Sequence, residues 1–431
     1  MSKLLFLAKR YDLAVGDRFE LFYRGVIRSM SPYKYYIHTE CKKGRSYPRY
    51  YTFTPNENET GDHELKITLY DDDRNVIDSA VTTLHVVKPA APKKKINVLC
   101  FGDSLTFNGV WPYEGWRRFT CTGGTPEGMG FEGSVEFFGE SRKENVGYEG
   151  YGGWKWKEFC VNDSTGLRSS VWVKSNHHLD EHDQESVWET NGKEWILESI
   201  EEGRLKFKRG RNNLGIVHDL GDAFRNVSGG VHKEDIAVES FEYEEHNPFY
   251  DESVKGPCFR TYCERNGFPD IDYFYILLTW NGQYIPYNDD FSMHDPYIRM
   301  ILDAILRDFP KAKIRLIGIM SPSVNGGITA NYGCSGPYSD VFGDLWTVFN
   351  YDKYLEDLVS EEKYRNNCRY IDMKAQFDVE NNMPAAEEKV NARCEKTELL
   401  GTNGVHPNMD GYLQIGDVFY RALVSDMDEE K

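Results

Sequence analysis

With 431 residues and 40% hydrophobic content, the chain can bury a substantial core, and it exceeds what a single compact domain needs. Its 69 acidic against 51 basic residues leave a formal charge of −18, which repels nucleic-acid phosphates and anionic membrane surfaces and argues against both as partners. A neutral or small substrate fits better, with a local basic pocket as the one way round that argument.

At the N-terminus, residues 4–8 form a short apolar run followed by Lys9 and Arg10. That run is too short for a signal-peptide core or a membrane span, so a cytoplasmic protein is expected. The nine cysteines include no CxxC pair, and the odd number leaves at least one without an intramolecular partner; reduced structural thiols are expected. Residues 1–88 alternate apolar and polar positions in short runs such as 19–23, 64–70 and 82–87, separated by Gly, Pro, Asn and Asp turns. This pattern predicts a small Ig-like β-sandwich. Residues 89–95, rich in Pro and Lys, read as a linker.

Beyond the linker the pattern changes to unbroken apolar strands at 96–101, 273–278 and 314–319, as buried parallel strands present themselves. Ile298, Ile301, Leu302, Ile305 and Leu306 share one face of a helix predicted over 296–309. The result is an α/β domain over residues 96–425 with a parallel sheet. The distance between its first two strands far exceeds one crossover, so a β-rich insertion is expected over about 160–245. Residues 426–431 read as an acidic tail.

The first parallel strand runs into Gly102-Asp103-Ser104-Leu105, which places a serine at the carboxyl edge of the sheet, where open α/β folds bind ligands. A serine opening the following helix gains from the positive end of its dipole; alternatively, Asp103 or Ser104 merely caps that helix. Near the C-terminus, Asn403-Gly404-Val405-His406-Pro407-Asn408 holds a loop histidine. Serine needs a base to take its proton, and imidazole titrates near the working pH.

Together with Asn281, which follows the strand at 273–278, these segments resemble the SGNH (GDSL-like) hydrolases over about residues 96–425. The resemblance implies a flavodoxin-like, three-layer α/β/α hydrolase domain, with Ser104 as nucleophile and His406 as base. It also implies an oxyanion hole built from the amides of Ser104 and Gly153 and the side chain of Asn281. Gly153 is assigned within Glu149-Gly150-Tyr151-Gly152-Gly153-Trp154, where Gly150 and Gly152 compete with it. Thr279 stands where the family usually has glycine, and Asn403 stands where it normally has aspartate. Three readings stay open: Asn403 or a main-chain carbonyl orients His406 in a working dyad, another carboxylate substitutes, or the enzyme is slow or inactive.

Trp154, Trp156 and Trp280 flank the proposed site and are candidate substrate contacts, since indole rings stack on sugar faces, and Asp103 is a further candidate contact. The Gly-rich stretch 147–153 lacks the Lys-Ser/Thr of a phosphate cradle. His177-His178-Leu179-Asp180-Glu181-His182-Asp183 holds enough ligands for a metal but reads as a solvated loop. No metal or other cofactor is expected. The function implied is hydrolysis of O-acyl esters, most of all acetyl esters of a sugar or oligosaccharide. The alternatives are a lipase- or thioesterase-type hydrolase and a noncatalytic carbohydrate-binding protein derived from one. The oligomeric state is not legible.

Overall fold

Four mostly apolar runs form the centre of one sheet: Ile96–Gly102, Tyr273–Leu277, Lys313–Ile317 and Cys368–Ile371, adjacent in that order and parallel. The computed structural model describes residues 3–162, 168–175, 177, 179–201, 203–210, 220–245, 247–278, 281, 285–324 and 341–430. On the far side of Ile96–Gly102 lies Val146–Gly150, whose Glu149 and Gly150 pair with Phe101 and Gly102. Val135–Phe138 takes the lower half of the same edge. The direction of growth reverses between Ile96–Gly102 and Tyr273–Leu277, the crevice where such sheets bind ligands.

Because strand residues alternate between faces, these strands feed two separate apolar layers. Val98, Cys100, Tyr273 and Tyr275 meet the helices Val110–Thr120 and Met409–Asp428. Leu99, Phe101, Phe274 and Ile276 meet Phe259–Asn266, Asp295–Asp308 and Val341–Val359. Both faces are covered, which explains why these strands read as continuous apolar runs rather than as alternating ones. Asp295–Asp308 buries Ile298, Ile301, Leu302 and Ile305, the face expected from their spacing, while Leu306 is only partly buried.

Before the sheet, Arg10–Ala14, Val76–Val87, Gly61–Tyr70 and Tyr36–Glu40 form one sheet, and Phe19–Phe22, Tyr50–Phe53 and Arg45–Ser46 form a second. The strand predicted over 19–23 stops at Phe22, and Tyr23 opens a single helical turn. These sheets do not keep their core to themselves. Leu13, Phe19, Leu65 and Leu84 share one apolar cluster with Phe101, Tyr351 and Leu355.

Buried polar groups cross the same seam. Asp12 pairs with Arg369, which also holds Asp426 at 2.8 Å. Asp17 pairs with Arg118 at 2.6 Å and Arg421 at 3.0 Å. The Tyr11 hydroxyl donates to Asp372 at 2.8 Å. Here the acidic tail expected from residue 426 onward is corrected. The helix Met409–Asp428 runs through Asp426, which is 0% exposed and bonded to Arg315, Arg369 and the Tyr275 hydroxyl. Acidic composition at a chain end suggests solvation, but helical periodicity turns this one aspartate onto the inner face.

Between the first two parallel strands sits a seven-stranded antiparallel sheet built from Arg168–Lys174 through Ser240–Glu245. Ile236–Ala237 pairs with Ala223–Ser228 at one end and Ser240–Glu245 pairs with Arg168–Lys174 at the other, so a single segment joins the two edges of the sheet. Val171, Val173, Trp188, Trp195, Leu197, Leu205, Phe207 and Phe224 fill its separate core. The described cysteines are all free. Among the described residues no helix is long and apolar enough to cross a membrane.

Candidate active site

Gly102 ends the first parallel strand where it lies directly beside Leu277 of its neighbour. A Cβ there would sit 2.0 Å from the Leu277 carbonyl oxygen, so only glycine lets the strand end turn away inside the sheet. Residues 103–108 then form turns, and the helix begins only at Val110, with Gly109 as its N-cap. Ser104 therefore does not open that helix, and the support expected from the helix dipole falls away. The serine is presented instead by a tight turn. The Asp103 carbonyl accepts from Thr106 N–H at 3.0 Å and Phe107 N–H at 3.1 Å, and the Asp103 carboxylate accepts from Leu105 N–H at 3.0 Å.

His406 Nε2 lies 2.8 Å from Ser104 Oγ. Both side chains are half-buried, and burial lowers the imidazole pKa from its ordinary value, favouring the neutral ring that can accept a proton. The loop that carries His406 is shaped by Asn403. Its Oδ1 accepts from Val405 N–H at 3.0 Å and His406 N–H at 2.9 Å. Asn403 thus folds the backbone of the histidine loop, an Asx-type turn, rather than bonding the ring through that oxygen. Beyond the loop, Asn408 caps the C-terminal helix by accepting from Gly411 N–H at 2.9 Å. The segment after Lys313–Ile317 supports the same loop, with Ser323 N–H donating to the Gly404 carbonyl at 3.3 Å.

Asn281 joins the remaining pieces. Its Nδ2 donates to the Trp154 carbonyl at 3.0 Å and to Asp103 Oδ2 at 3.3 Å. An amide nitrogen has two hydrogens, and both point at protein acceptors here. A bond to a carboxylate is ordinarily shorter than 3.0 Å, so the contact to Asp103 is the weaker hold. Gly153 is exposed and has φ +82, a left-handed conformation that glycine adopts without strain. The structure therefore brings together Ser104, His406, Asn403, Asn281, Asp103 and the Gly153-Trp154 turn.

Three of the expected substrate contacts are displaced inward. Asp103 is 1% exposed, with its oxygens occupied by Leu105 and Asn281; it lies beneath the serine and positions Asn281. Trp154 is also 1% exposed, with its ring stacked on Tyr151 at 4.4 Å between centroids. Its main-chain carbonyl, not its indole, meets Asn281. Trp156 is buried as well and donates to the Tyr351 hydroxyl at 2.6 Å. Trp280 and Thr279 lie outside the described residues.

Glu149 opens the motif at 149–154, where the sequence assigns it no role of its own. It sits below the Gly153 turn, where burial, together with the Glu140 carboxylate, pushes its carboxyl up to about 8. The Tyr151 and Tyr262 hydroxyls donate to it, and Glu140 N–H does so at 2.6 Å. It fixes the ring on which Trp154 stacks. Its position directly before Gly150 at a strand end is the only sequence signal for it.

A scan against protein-family models and a search of curated proteins found no match. Among solved structures, a peptidoglycan O-acetylesterase aligns with 78% of this chain and 92% of its own, at 10% identity and a TM-score of 0.30. A possible lipase from Chitinophaga pinensis aligns with 38% of this chain and 77% of its own, at 15% identity and a TM-score of 0.25. The fibronectin(III)-like modules of Clostridium thermocellum CbhA align with 20% of this chain and 98% of their own, at 15% identity and a TM-score of 0.15. None of these likenesses reaches the score from which a shared fold follows.

Proposed function

We propose that this chain is a serine ester hydrolase of the SGNH type that cleaves O-acyl esters, with acetyl esters of a sugar or oligosaccharide as its substrate class. The 2.8 Å contact between His406 Nε2 and Ser104 Oγ, at the crevice where the sheet reverses, carries this reading. In the proposed reaction Ser104 Oγ attacks the ester carbonyl while His406 takes its proton. The tetrahedral oxyanion collapses, His406 returns the proton to the departing alcohol, and water then hydrolyses the acyl-serine by the same relay. The amides of Ser104 and Gly153 and the side chain of Asn281 are the oxyanion donors. Asn281 takes up this role by releasing its long contact to Asp103 while keeping the Trp154 carbonyl. A flavodoxin-like strand order and the motifs around Ser104, Asn281 and His406 support the SGNH assignment. The sugar preference rests on the family resemblance alone, since Trp154 and Trp156 are buried.

Turnover of p-nitrophenyl acetate by the full chain tests the proposal. Ser104→Ala and His406→Ala are each expected to lower kcat by about four orders of magnitude or more, and Asn281→Ala by about two to three. The acid limb of kcat/KM should lie below the ordinary histidine value of about 6.5, because burial favours the neutral base. Wild-type turnover that survives Ser104→Ala would overturn the reading.

A further inference from the structure

The inserted module contains a cluster that the proposed hydrolysis does not use. One ring nitrogen from each of His177 and His232 and one carboxylate oxygen of Glu234 all lie within 4.8 Å of one another. The residues come from two loops at the same end of the antiparallel sheet. His177 follows the strand Arg168–Lys174, and His232 and Glu234 lie between Ala223–Ser228 and Ile236–Ala237. We propose that His177, His232 and Glu234 bind a divalent transition-metal ion of the zinc class, which clasps these two loops. Two imidazoles and a carboxylate are a zinc donor set, and tetrahedral coordination leaves the fourth position to water.

Three observations beside the spacing of the ligand atoms support a built site. His232 Nε2 is buried and has no hydrogen-bond partner among the described residues, a state seldom left in a folded protein unless something else is bound. The loop carrying it is fixed from below, because Asp183 Oδ1 accepts from Val231 N–H and His232 N–H, each at 2.7 Å. The His232 ring is bracketed by the tilted Trp188 indole, 6.1 Å away, and the edge-on His177 imidazole, 5.4 Å away. Zinc ligands stand roughly 3.3 Å apart around an ion at about 2.05 Å, and Glu234, the exposed member of the three, is the side chain free to adjust to that spacing. Among the described residues of the ligand-rich run at 177–183, His177 alone joins this cluster; its partners lie more than fifty residues further along the chain.

The test uses the full chain, stripped with a chelator and titrated with zinc chloride by calorimetry, with thermal melting in parallel. One ion per chain at micromolar zinc and a raised Tm are expected. His177→Ala and the surface variant Glu234→Gln should each weaken binding by at least about tenfold and lose the rise in Tm. Turnover of p-nitrophenyl acetate should be unchanged by chelation, which separates this site from the serine. Absence of binding at micromolar zinc, or binding unaffected by both variants, would overturn the proposal.

Discussion

The N-terminal sandwich and the module over 168–245 are both made of short, mainly antiparallel strands, yet they join the parallel sheet in opposite ways. The sandwich shares one apolar cluster with the sheet and its helices, and Asp12, Asp17 and Tyr11 reach across to Arg369, Arg118, Arg421 and Asp372. The module keeps a cluster of its own, and ion pairs such as Arg204–Glu242 and Lys208–Glu185 run between its own segments on the surface. Its ends also meet, since Asn247 donates to Asn162 Oδ1 at 3.2 Å and the Val161 carbonyl at 3.0 Å. A linker composition thus says where the chain stops packing locally. It does not say whether the bodies on either side remain separate.

The largest expected effect comes from deletion. Removing residues 1–95 strips one wall from a shared core and leaves Arg369 and Arg421 without their sandwich partners; loss of a cooperative thermal transition is expected. Excising 168–245 and rejoining the ends with a short Gly/Ser link should preserve a cooperative melt and Ser104-dependent turnover. The reverse pair of results would break the comparison. Next comes Trp188→Ala, a cavity of the kind that costs about 3 to 5 kcal/mol. Hydrogen exchange should show faster opening within the module and not at Ile96–Gly102.

Arg369→Met should cost about 3 kcal/mol, because it leaves Asp12 and Asp426 with Arg10 and Arg315 as their remaining cationic partners. That loss should appear in chemical denaturation as a shift of the whole transition, since the residues on both sides of the seam belong to one apolar cluster. The smallest effect is on acid sensitivity. Burial alone would raise the Asp12 and Asp426 carboxyls; Arg369 and Arg10 in the first case, and Arg315 and Arg369 in the second, outweigh it and hold both below the ordinary value. A depressed folded-state pKa contributes stability that is present above about pH 4 and lost as pH falls through the folded values. Unfolding free energy measured below about pH 4 should therefore decline less steeply in Asp426→Asn than in wild type.

The parallel strands were legible because burial on both faces leaves continuous apolar runs, and the helix Asp295–Asp308 because one face repeats at helical spacing. Ser104 and His406, 302 residues apart, could be brought together on paper only because each sits directly beyond a recognisable strand or before a recognisable helix. What lay deeper was hidden. Nothing in Gly102-Asp103-Ser104 says that the aspartate points inward to Asn281, and tryptophans beside a site look alike whether they face substrate or core. Asp426 read as solvated because composition counts charges without their partners. His177 meets His232 and Glu234 only after the four intervening strands have curled the chain back on itself.

The seam between the sandwich and the sheet carries a consequence for synthesis. Asp12 waits for a partner 357 residues later, and Asp17 for one 404 residues later. A chain leaving the ribosome at about 5 to 20 residues per second holds its first strands for tens of seconds before the last helix emerges to cover them. The module over 168–245 closes on itself long before that. During this interval the nascent sandwich exposes apolar surface while Asp12 and Asp17 still lack the partners that Arg369 and Arg421 will supply, and it is there that a chaperone would find its client.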